Sequence, residues 1–295
     1  MPAPIFLFNY HIKDIFNINI MLLNWKKIKK EDVELVKKYN KKLKTVEYFN
    51  SIIYQMYNKM AYKLIDNYLV ICKPIAIMGN FNIIHYCNLN VPNEIEKNLL
   101  NSGITLRGHH IKGVKDKFGD EYIYFTNNAI QKEGKRFSRF RNILRRYSCK
   151  YYSGFHKDVD MVVCGWSKEN GSKHQIKLLK IIKENLDLVN ITRVYYNGEI
   201  IGFSIVEKIN SGNGVIIQRL INPNIKDKIV EPNILIHYYD CVNNPNMAIN
   251  IGASRNKNIK LAKNKLRPDK LLRIGREITK NKLNRKAWDL FNGNI

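Results

Sequence analysis

The spacing of apolar residues divides the chain into stretches with helical or strand-like periodicity. Apolar residues at intervals of three and four predict helices over 29–43, 46–59, 92–101, 129–147, 172–186, 232–242 and 256–265. Short alternating or continuous apolar runs predict strands over 62–65, 68–72, 75–78, 82–87, 121–125, 192–196, 199–206, 214–220 and 247–251. Both halves therefore follow the order helix, meander, helix, strand.

This order predicts an α/β (α+β) chain with two similar lobes, each a twisted mixed sheet flanked by helices. We expect an N-terminal extension at 1–20, a first lobe at 21–148 and a second lobe at 149–295, joined near 148–170. The second lobe would end in a basic helix that Pro268 stops. Gly165-Trp166 is interpreted as a loop with a packed indole.

Charge narrows the choice of partners. The chain has 50 Lys and Arg residues against 25 Asp and Glu, a formal net charge of +25. Such a surface attracts polyanions, so we expect tRNA or another nucleic acid as a partner, with peripheral contact to anionic lipid as a further expectation. The organised segments with the highest basic density are 132–150 and 255–276.

The cysteines and histidines argue against metal and disulfide chemistry. The five cysteines are odd in number and never stand at CxxC spacing, which favours a reducing cytoplasm. His85, His109 and His110 lack cysteines or carboxylates at ligand spacing, so no metal site is predicted. Charged residues interrupt the apolar start at 1–20, and neither a signal peptide nor a transmembrane segment is expected.

Three motifs occur in a fixed order. An aromatic strand at 121–125 leads to a helix that carries Gly134-Lys135 and Arg141-Asn142. The run from Asn197-Gly198 to Ser204, with Glu207 after it, forms a central hairpin, and Ala262-Lys263 precedes Pro268. Together these motifs resemble the catalytic domain of the phosphatidylglycerol lysyltransferases, which belong to the GNAT superfamily of acyltransferases.

The resemblance implies tandem GNAT-like lobes with the active site in the C-terminal lobe. It also implies transfer of an aminoacyl group from aminoacyl-tRNA to a lipid, a peptide or a small amine or hydroxyl. Two stretches depart from the family pattern: Gln218-Arg219 replaces a charged pair, and 249–255 keeps only Asn-Ile-Gly. Lysine and phosphatidylglycerol are therefore not assumed as substrates.

The loop after the central strands bears on the identity of the acyl donor. Acetyl-CoA-dependent members hold the pyrophosphate on a glycine-rich turn that enters a helix. Here the corresponding stretch, 218–225, has no glycine and contains a proline. The sequence therefore favours aminoacyl-tRNA over acetyl-CoA as the donor, and no tightly bound cofactor is expected.

Acyl transfer needs a positioned nucleophile, a proton acceptor and a donor to the developing oxyanion. Candidates for base and oxyanion contacts lie in the second half: Glu231, Asp240, Asn250 and Ser254. Substrate-binding candidates are the family-like Arg-Asn pair, the arginine of the central strands and the basic terminal segment: Arg141, Asn142, Arg219, Arg255, Lys263, Lys265 and Arg267.

Three other functions stay open at this point. The charge also fits acyl or aminoacyl modification of nucleic acid, such as a DNA base, in a mobile element or virus. A CoA-dependent N-acetyltransferase shares the superfamily. A non-catalytic nucleic-acid-binding module on the same scaffold would show salt-dependent binding without turnover.

Overall fold

The computed structural model describes residues 25–77, 80–87, 92–101, 105–115, 119–225, 228–254 and 256–277. Contacts divide these residues into two compact units. The first unit comprises residues up to 39, residues 58–116 and residues from 274 onwards, and the second comprises 40–57 and 117–273. The predicted extension at 1–20 lies outside the described residues.

The first unit is a mixed sheet with helices. Its helices are α1 (Val33–Asn40) and α3 (Asn93–Asn101), and its strands are β1 (Lys26–Lys27), β2 (Ala61–Ile65), β3 (Tyr68–Ile77), β4 (Asn80–Cys87), β5 (Thr105–Gly108), β6 (Val114–Lys115) and β14 (Gly275–Glu277). The sheet order is β1-β2-β3-β4-β5-β14-β6. Residues of β2, β3, α3 and β5 form its core: Ala61, Val70, Cys72, Ile95, Leu99 and Leu106.

The second unit also contains a seven-stranded sheet with helices. Its helices are α2 (Ile52–Tyr57), α4 (Thr126–Gln131), α5 (Ser138–Arg146), α6 (Lys157–Glu169), α7 (His174–Lys183), α8 (Pro232–Asn243) and α9 (Lys257–Lys265). Its strands are β7 (Glu121–Phe125), β8 (Lys150–Ser153), β9 (Val189–Tyr196), β10 (Glu199–Asn210), β11 (Asn213–Ile221), β12 (Ala248–Asn250) and β13 (Lys270–Leu272). The order is β13-β7-β12-β11-β10-β9-β8.

Both sheets share one topology. In the first, β2, β3 and β4 form an antiparallel meander, and β4 then pairs with β5 in parallel across α3. In the second, β9, β10 and β11 form the meander, and β11 pairs with β12 in parallel across α8. These two mixed sheets flanked by helices confirm the predicted α/β fold class.

One inner strand of each sheet is exchanged between the two halves of the sequence. β14, from the end of the described chain, lies between β5 and β6 in the first sheet. β7, from the first half, lies between β12 and β13 in the second sheet. Each unit is therefore built from separate stretches of chain, and the observed division differs from the predicted boundary at 148 and 149.

The segment after β7 packs with the second unit because its aromatic stripe is part of that core. Phe137, Phe140 and Ile143 cluster with residues of β10 and α8, such as Ile201 and Leu235.

The prediction of one helix over 129–147 was wrong. α4 ends at Gln131, because its C-cap Lys132 has a positive φ of 56° and Gly134 follows with a φ of 73°. α5 therefore begins separately at Ser138.

Two further predicted breaks are absent. Residues 148–170 hold β8 and α6 rather than a linker, and Trp166 lies in α6 rather than in a loop. β3 runs through Pro74 without interruption. The last β2–β3 pair is Ala61 with Cys72, so Pro74 lies beyond β2, and its missing N–H removes no bond to that strand.

Two buried carboxylates hold segment 40–57 in the second unit. Glu207 of β10 accepts hydrogen bonds from Ser51 Oγ at 2.7 Å and from the backbone nitrogens of Ile52 and Ile53 at 2.8 and 3.1 Å. These nitrogens begin α2, where a negative charge is favoured by the helix dipole. Glu121 of β7 accepts in the same way from Tyr48 N at 2.9 Å.

Close packing of β10 against β11 gives a stability prediction. A Cβ added at Gly202 would lie 2.3 Å from Leu220 O and 2.6 Å from Ile236 Cδ1, whereas at Gly212 it would meet nothing within 4 Å. We therefore expect Gly202→Ala to lower the free energy of unfolding by about 1–3 kcal/mol, since overpacking forces atoms apart. Gly212→Ala is the matched control and should change it by less than about 0.5 kcal/mol. Urea denaturation measures both, and equal effects would contradict the packing argument.

Candidate functional site

A cleft opens in the second sheet where β11 and β12 separate. The two strands pair in parallel only from Asn213 to Val215 on β11 and from Ala248 to Asn250 on β12. Beyond this point β11 continues to residue 221 beside β10 alone. A cavity of about 540 Å³ lies along this unpaired part. An unpaired strand edge offers backbone donors and acceptors to a ligand.

The walls of the cleft are mostly apolar, with polar groups from several elements. The apolar lining comes from β11, the segment after it, the residue after β12, and α9: Ile216, Leu220, Ile221, Pro223, Ile251, Ile259, Ala262 and Leu266. The polar lining comes from β11 and from four helices or their ends: Arg219, Glu169, Asn170, Gln175, Asn233, Asn258 and Lys263, with Trp166 beside them. Apolar walls with few convergent polar groups are typical of a small-ligand site.

Arg219 is held at the cleft by a buried carboxylate. Its Nη2 donates to Asp240 Oδ2 at 2.9 Å, and its Nε donates to Ser204 Oγ at 3.4 Å. The Asp240 side chain is fully buried and that of Arg219 is 10% exposed. Among the described residues, Nη1 of Arg219 has no hydrogen-bond partner. That nitrogen is therefore available to a ligand.

Other buried groups fix the carboxylate. Thr192 Oγ1 donates to Asp240 Oδ1 at 3.3 Å, and Asn244 Nδ2 donates to the same oxygen at 3.3 Å. Burial raises the pKa of Asp240, and the neighbouring Arg219 lowers it. The ionised state of the Asp240 carboxylate therefore depends on the positive charge of Arg219.

His237 lies next to this pair in a neutral state. Burial, and secondly Arg219, lower the pKa of His237 well below its usual range. Arg219 Nη2 lies 3.3 Å from His237 Nδ1. Because a guanidinium only donates, Nδ1 accepts and the proton sits on Nε2. The ring therefore contributes an acceptor to Arg219 and no charge.

Lys263 closes the other side of the cleft from α9. Its Nζ donates to the backbone oxygens of Ile251, Gly252 and Ala253 at 2.7, 2.8 and 3.2 Å. These contacts use all three ammonium protons, so Lys263 acts on a ligand through its charge. Burial lowers the pKa of Lys263 to about 8; Glu121 raises it and Arg219 lowers it further.

The other sequence candidates lie outside the cleft lining. Glu231 forms ion pairs with Arg139 and with Lys265, the latter at 3.3 Å. Asn250 is buried and donates to Glu121 at 2.6 Å, while its Oδ1 accepts from Gly252 N and shapes the loop that Lys263 binds. Ser254 Oγ accepts from the backbone nitrogen of Asn256, ahead of α9.

The remaining binding candidates have structural contacts or exposed positions. Arg141 donates to the backbone oxygens of Lys132 and Gly134 and so holds the break between α4 and α5. Asn142 is exposed, Arg267 is exposed with a φ of 59°, and Arg255 lies outside the described residues. Of the predicted binding residues, the structure thus brings Arg219 and Lys263 together in one cleft.

Sequence reasoning missed the groups that α6, α7 and α8 bring to the cleft. Trp166 and Asn170 come from the end of α6, Gln175 from α7 and Asn233 from the first turn of α8. Asn233 carried a usable signal, because it follows Pro232 at the predicted helix start after the central strands. The others meet the cleft only through tertiary packing.

The fold has counterparts among solved structures. A conserved protein of unknown function from Bacteroides thetaiotaomicron gives a TM-score of 0.72 at 15% identity, covering 87% of this chain and 99% of that one. L-PGS from Bacillus licheniformis gives 0.59 at 11% identity, with 90% and 97% covered. The C-terminal domain of a putative lysylphosphatidylglycerol synthetase from Agrobacterium fabrum gives 0.60 at 10% identity, with 90% and 95% covered.

This chain shares its fold with these three structures. The predicted resemblance is thus confirmed at the level of fold. No protein-family model matches the sequence, and no curated protein matches it either. Within the described ranges, no helix combines the length and apolarity that crossing a bilayer requires.

The lowered pKa of Lys263 predicts that the affinity of the cleft for an anion falls as the pH rises. Lys263 is protonated below a pH of about 8 and neutral above it. We expect sulfate, whose charge is constant from pH 6 to 10, to bind several-fold more weakly as the pH rises through about 8. Sulfate-dependent shifts in the thermal unfolding midpoint measure this affinity. Lys263→Arg should flatten the profile, while Lys257→Arg, at an exposed position of α9, should leave it unchanged. A profile that Lys263→Arg leaves unchanged would contradict this assignment.

Proposed function

We propose that the second unit is an acyltransferase that moves an aminoacyl group from aminoacyl-tRNA to an amine or hydroxyl of a lipid, peptide or small molecule. The single observation that carries this proposal is the cleft between β11 and β12, with Arg219 and Lys263 among apolar walls. The shared fold with structures named as lysylphosphatidylglycerol synthetases supports it.

In the proposed reaction, the Arg219 guanidinium stabilises the charge that develops during acyl transfer. The acceptor nitrogen or oxygen attacks the ester carbonyl carbon, and negative charge develops on the carbonyl oxygen. A donor already aimed at that oxygen lowers the barrier, and the effect is larger in a site that excludes water. We assign this contact to Nη1 of Arg219, with Asp240 as its positioning residue. The bond to the ribose oxygen of the tRNA then breaks, and that oxygen takes up the proton that the acceptor nitrogen or oxygen loses.

Lys263 has a second role in the proposal. Its charge lies in the same cleft as Arg219, whose own charge is paired with Asp240. The Lys263 ammonium favours a phosphate or an oxyanion over a neutral ligand, and Glu169 at the end of α6 is the carboxylate of the lining that opposes it. The three contacts of Lys263 also fix the loop after β12, so the cleft is preformed. Binding in a preformed site costs less conformational entropy.

The donor assignment rests on the segment after β11. That segment continues from the strand into a short turn at Pro223–Ile225, and Pro232 at the start of α8 has no backbone N–H. A pyrophosphate would need several free amides there. We therefore propose aminoacyl-tRNA rather than acetyl-CoA as the donor.

The test is a transfer assay with the whole chain. Bulk tRNA charged with radiolabelled amino acids is incubated with phosphatidylglycerol vesicles, or with short peptides that carry free amines. Labelled acetyl-CoA replaces the charged tRNA in a parallel arm. The proposal expects label in lipid or peptide from charged tRNA only. Label from acetyl-CoA alone would overturn the donor, and label from neither donor would overturn the acyltransferase.

A further inference from the structure

A second cavity, of about 610 Å³, lies at the edge strand β8 of the second sheet. Its lining includes Lys150 and Tyr152 of β8 and Arg193 and Tyr195 of β9. We call it the β8 groove. It shares no lining residue with the cleft, from which β10 separates it in the strand order.

Strand pairing places the four side chains in a checkerboard. Lys150 stands opposite Tyr195, and Tyr152 stands opposite Arg193. Side chains two residues apart on a strand share a face, so two cations and two tyrosines lie together on one surface. Tyr151, between them, points to the other face and packs on Tyr239 with ring centroids 5.5 Å apart.

Hydrogen bonds orient two of the four groups, Arg193 and Tyr195, and a ring contact orients a third, Tyr152. Arg193 donates to Gly154 O at 3.0 Å, to Ser153 O at 3.2 Å and to Tyr195 Oη at 3.1 Å. Tyr195 Oη donates to Asp158 at 2.7 Å. The Tyr152 and Tyr195 rings meet edge to face at 5.4 Å. Arg193, Tyr195 and Tyr152 are therefore held in place before any ligand arrives.

Tyr152 is the exposed aromatic member of the set, beside the exposed Lys150. The residue is 50% exposed even though its ring contacts Tyr195, so part of the aromatic surface faces solvent. Asp158 also lies at the groove, and its pKa is lowered, first by the hydrogen bond from Tyr195. Its charge is engaged by Tyr195 and by His156, whose Nδ1 lies 3.2 Å away. The described lining residues themselves include no carboxylate.

We propose that the β8 groove binds a single-stranded nucleic acid segment, with one base stacked on Tyr152 and the flanking phosphates at Lys150 and Arg193. An exposed aromatic face beside cations is the usual platform for unpaired bases, because every base has a π-face and every linkage a negative charge. A duplex hides its base faces and would contact only the cations. An acidic peptide would leave the Tyr152 ring uncovered.

The test compares two tyrosines on opposite faces of one strand. Binding of a fluorescein-labelled single-stranded 12-mer is measured by anisotropy at low salt. Tyr152→Ala should weaken binding by about tenfold, as loss of one stacked base does. Tyr152→Trp should keep the affinity, and Tyr151→Ala is the matched control that should change it less than twofold. Lys150→Ala should reduce the salt slope by about one, whereas Lys177→Ala, at an exposed position of α7, should not.

Two more arms separate stacking from charge alone. A 5-bromouridine oligonucleotide should crosslink to Tyr152 on irradiation. The unlabelled single strand should displace the labelled 12-mer better than its duplex does. Equal effects of Tyr152→Ala and Tyr151→Ala would overturn the proposal. The proposal would also fail if inorganic polyphosphate competed as well as the oligonucleotide and its affinity did not change with Tyr152→Ala. Thermal unfolding of each variant shows that the fold is kept.

Discussion

Replacing Asp240 with alanine is expected to lower the free energy of unfolding by about 3–5 kcal/mol, because it leaves the Arg219 guanidinium in a buried position without its carboxylate. The Asp240 side chain is fully buried and Arg219 is 10% exposed, so little solvent can replace the lost partner. Thr192 and Asn244 would also lose the oxygen to which they donate. Urea denaturation at pH 7 measures the change.

An exposed ion pair provides the control. Asp160 pairs with Lys183, and their side chains are 38% and 41% exposed. Asp160→Ala should cost no more than about 1 kcal/mol, because water screens and replaces an exposed partner. The double variant Arg219→Met with Asp240→Leu should recover most of the stability, since neither charge is then left buried. Similar losses for Asp160→Ala and Asp240→Ala would contradict the role given to the buried pair.

The pH dependence of the single variants identifies the charge that is left behind. Arg219 lowers the pKa of Asp240 against the raising effect of burial, so Arg219→Met should raise that pKa further. A carboxyl whose folded-state pKa exceeds its unfolded value of about 4 loses stability as the pH rises between the two values. Arg219→Met should therefore regain part of its lost stability between pH 7 and pH 5. Asp240→Ala lacks the carboxyl and should show no such gain.

The sequence predicts individual elements better than their partners. The Asn197-Gly198 hairpin between β9 and β10 is set by local turn geometry, and the structure has it. The exchange of β7 and β14 between the sheets has no local signal. β7 pairs with β12, more than a hundred residues later, because the stripe of Phe137, Phe140 and Ile143 is buried in that core. Periodicity shows that a face is apolar but not which core it joins.

The same limit applies to the site. Arg219 and Lys263 were predicted as binding residues, and tertiary structure places both in the cleft. Asp240 was a candidate base, but its contact with Arg219 makes it a positioning residue in our proposal. A carboxylate on a helix looks the same in sequence whether it faces substrate or a buried arginine. Only the contact of Asp240 on α8 with Arg219 on β11 distinguishes the two.

Loss of the Arg219 guanidinium is expected to have the largest effect on transfer. Removal of one donor to a developing oxyanion costs about 10²- to 10³-fold in rate. Because Arg219→Ala strands Asp240 and can unfold the protein, the informative variant is Arg219→Met with Asp240→Asn, which is neutral at both positions. We expect kcat/KM for label transfer from charged tRNA to fall by about 10²-fold or more in this variant, with the fold kept.

Two comparisons tie that loss to the guanidinium rather than to the shape of the cleft. Arg219→Lys keeps a positive charge but not the planar fork that binds Asp240 and leaves Nη1 for a ligand, so it should restore only part of the rate. Asp240→Asn alone keeps the guanidinium but weakens its orientation, and it should lower kcat more than it raises KM, because the contact matters most in the transition state. If the neutral double variant transferred label at the parental rate, Arg219 would not contact the reacting carbonyl, and the cleft between β11 and β12 would need another occupant.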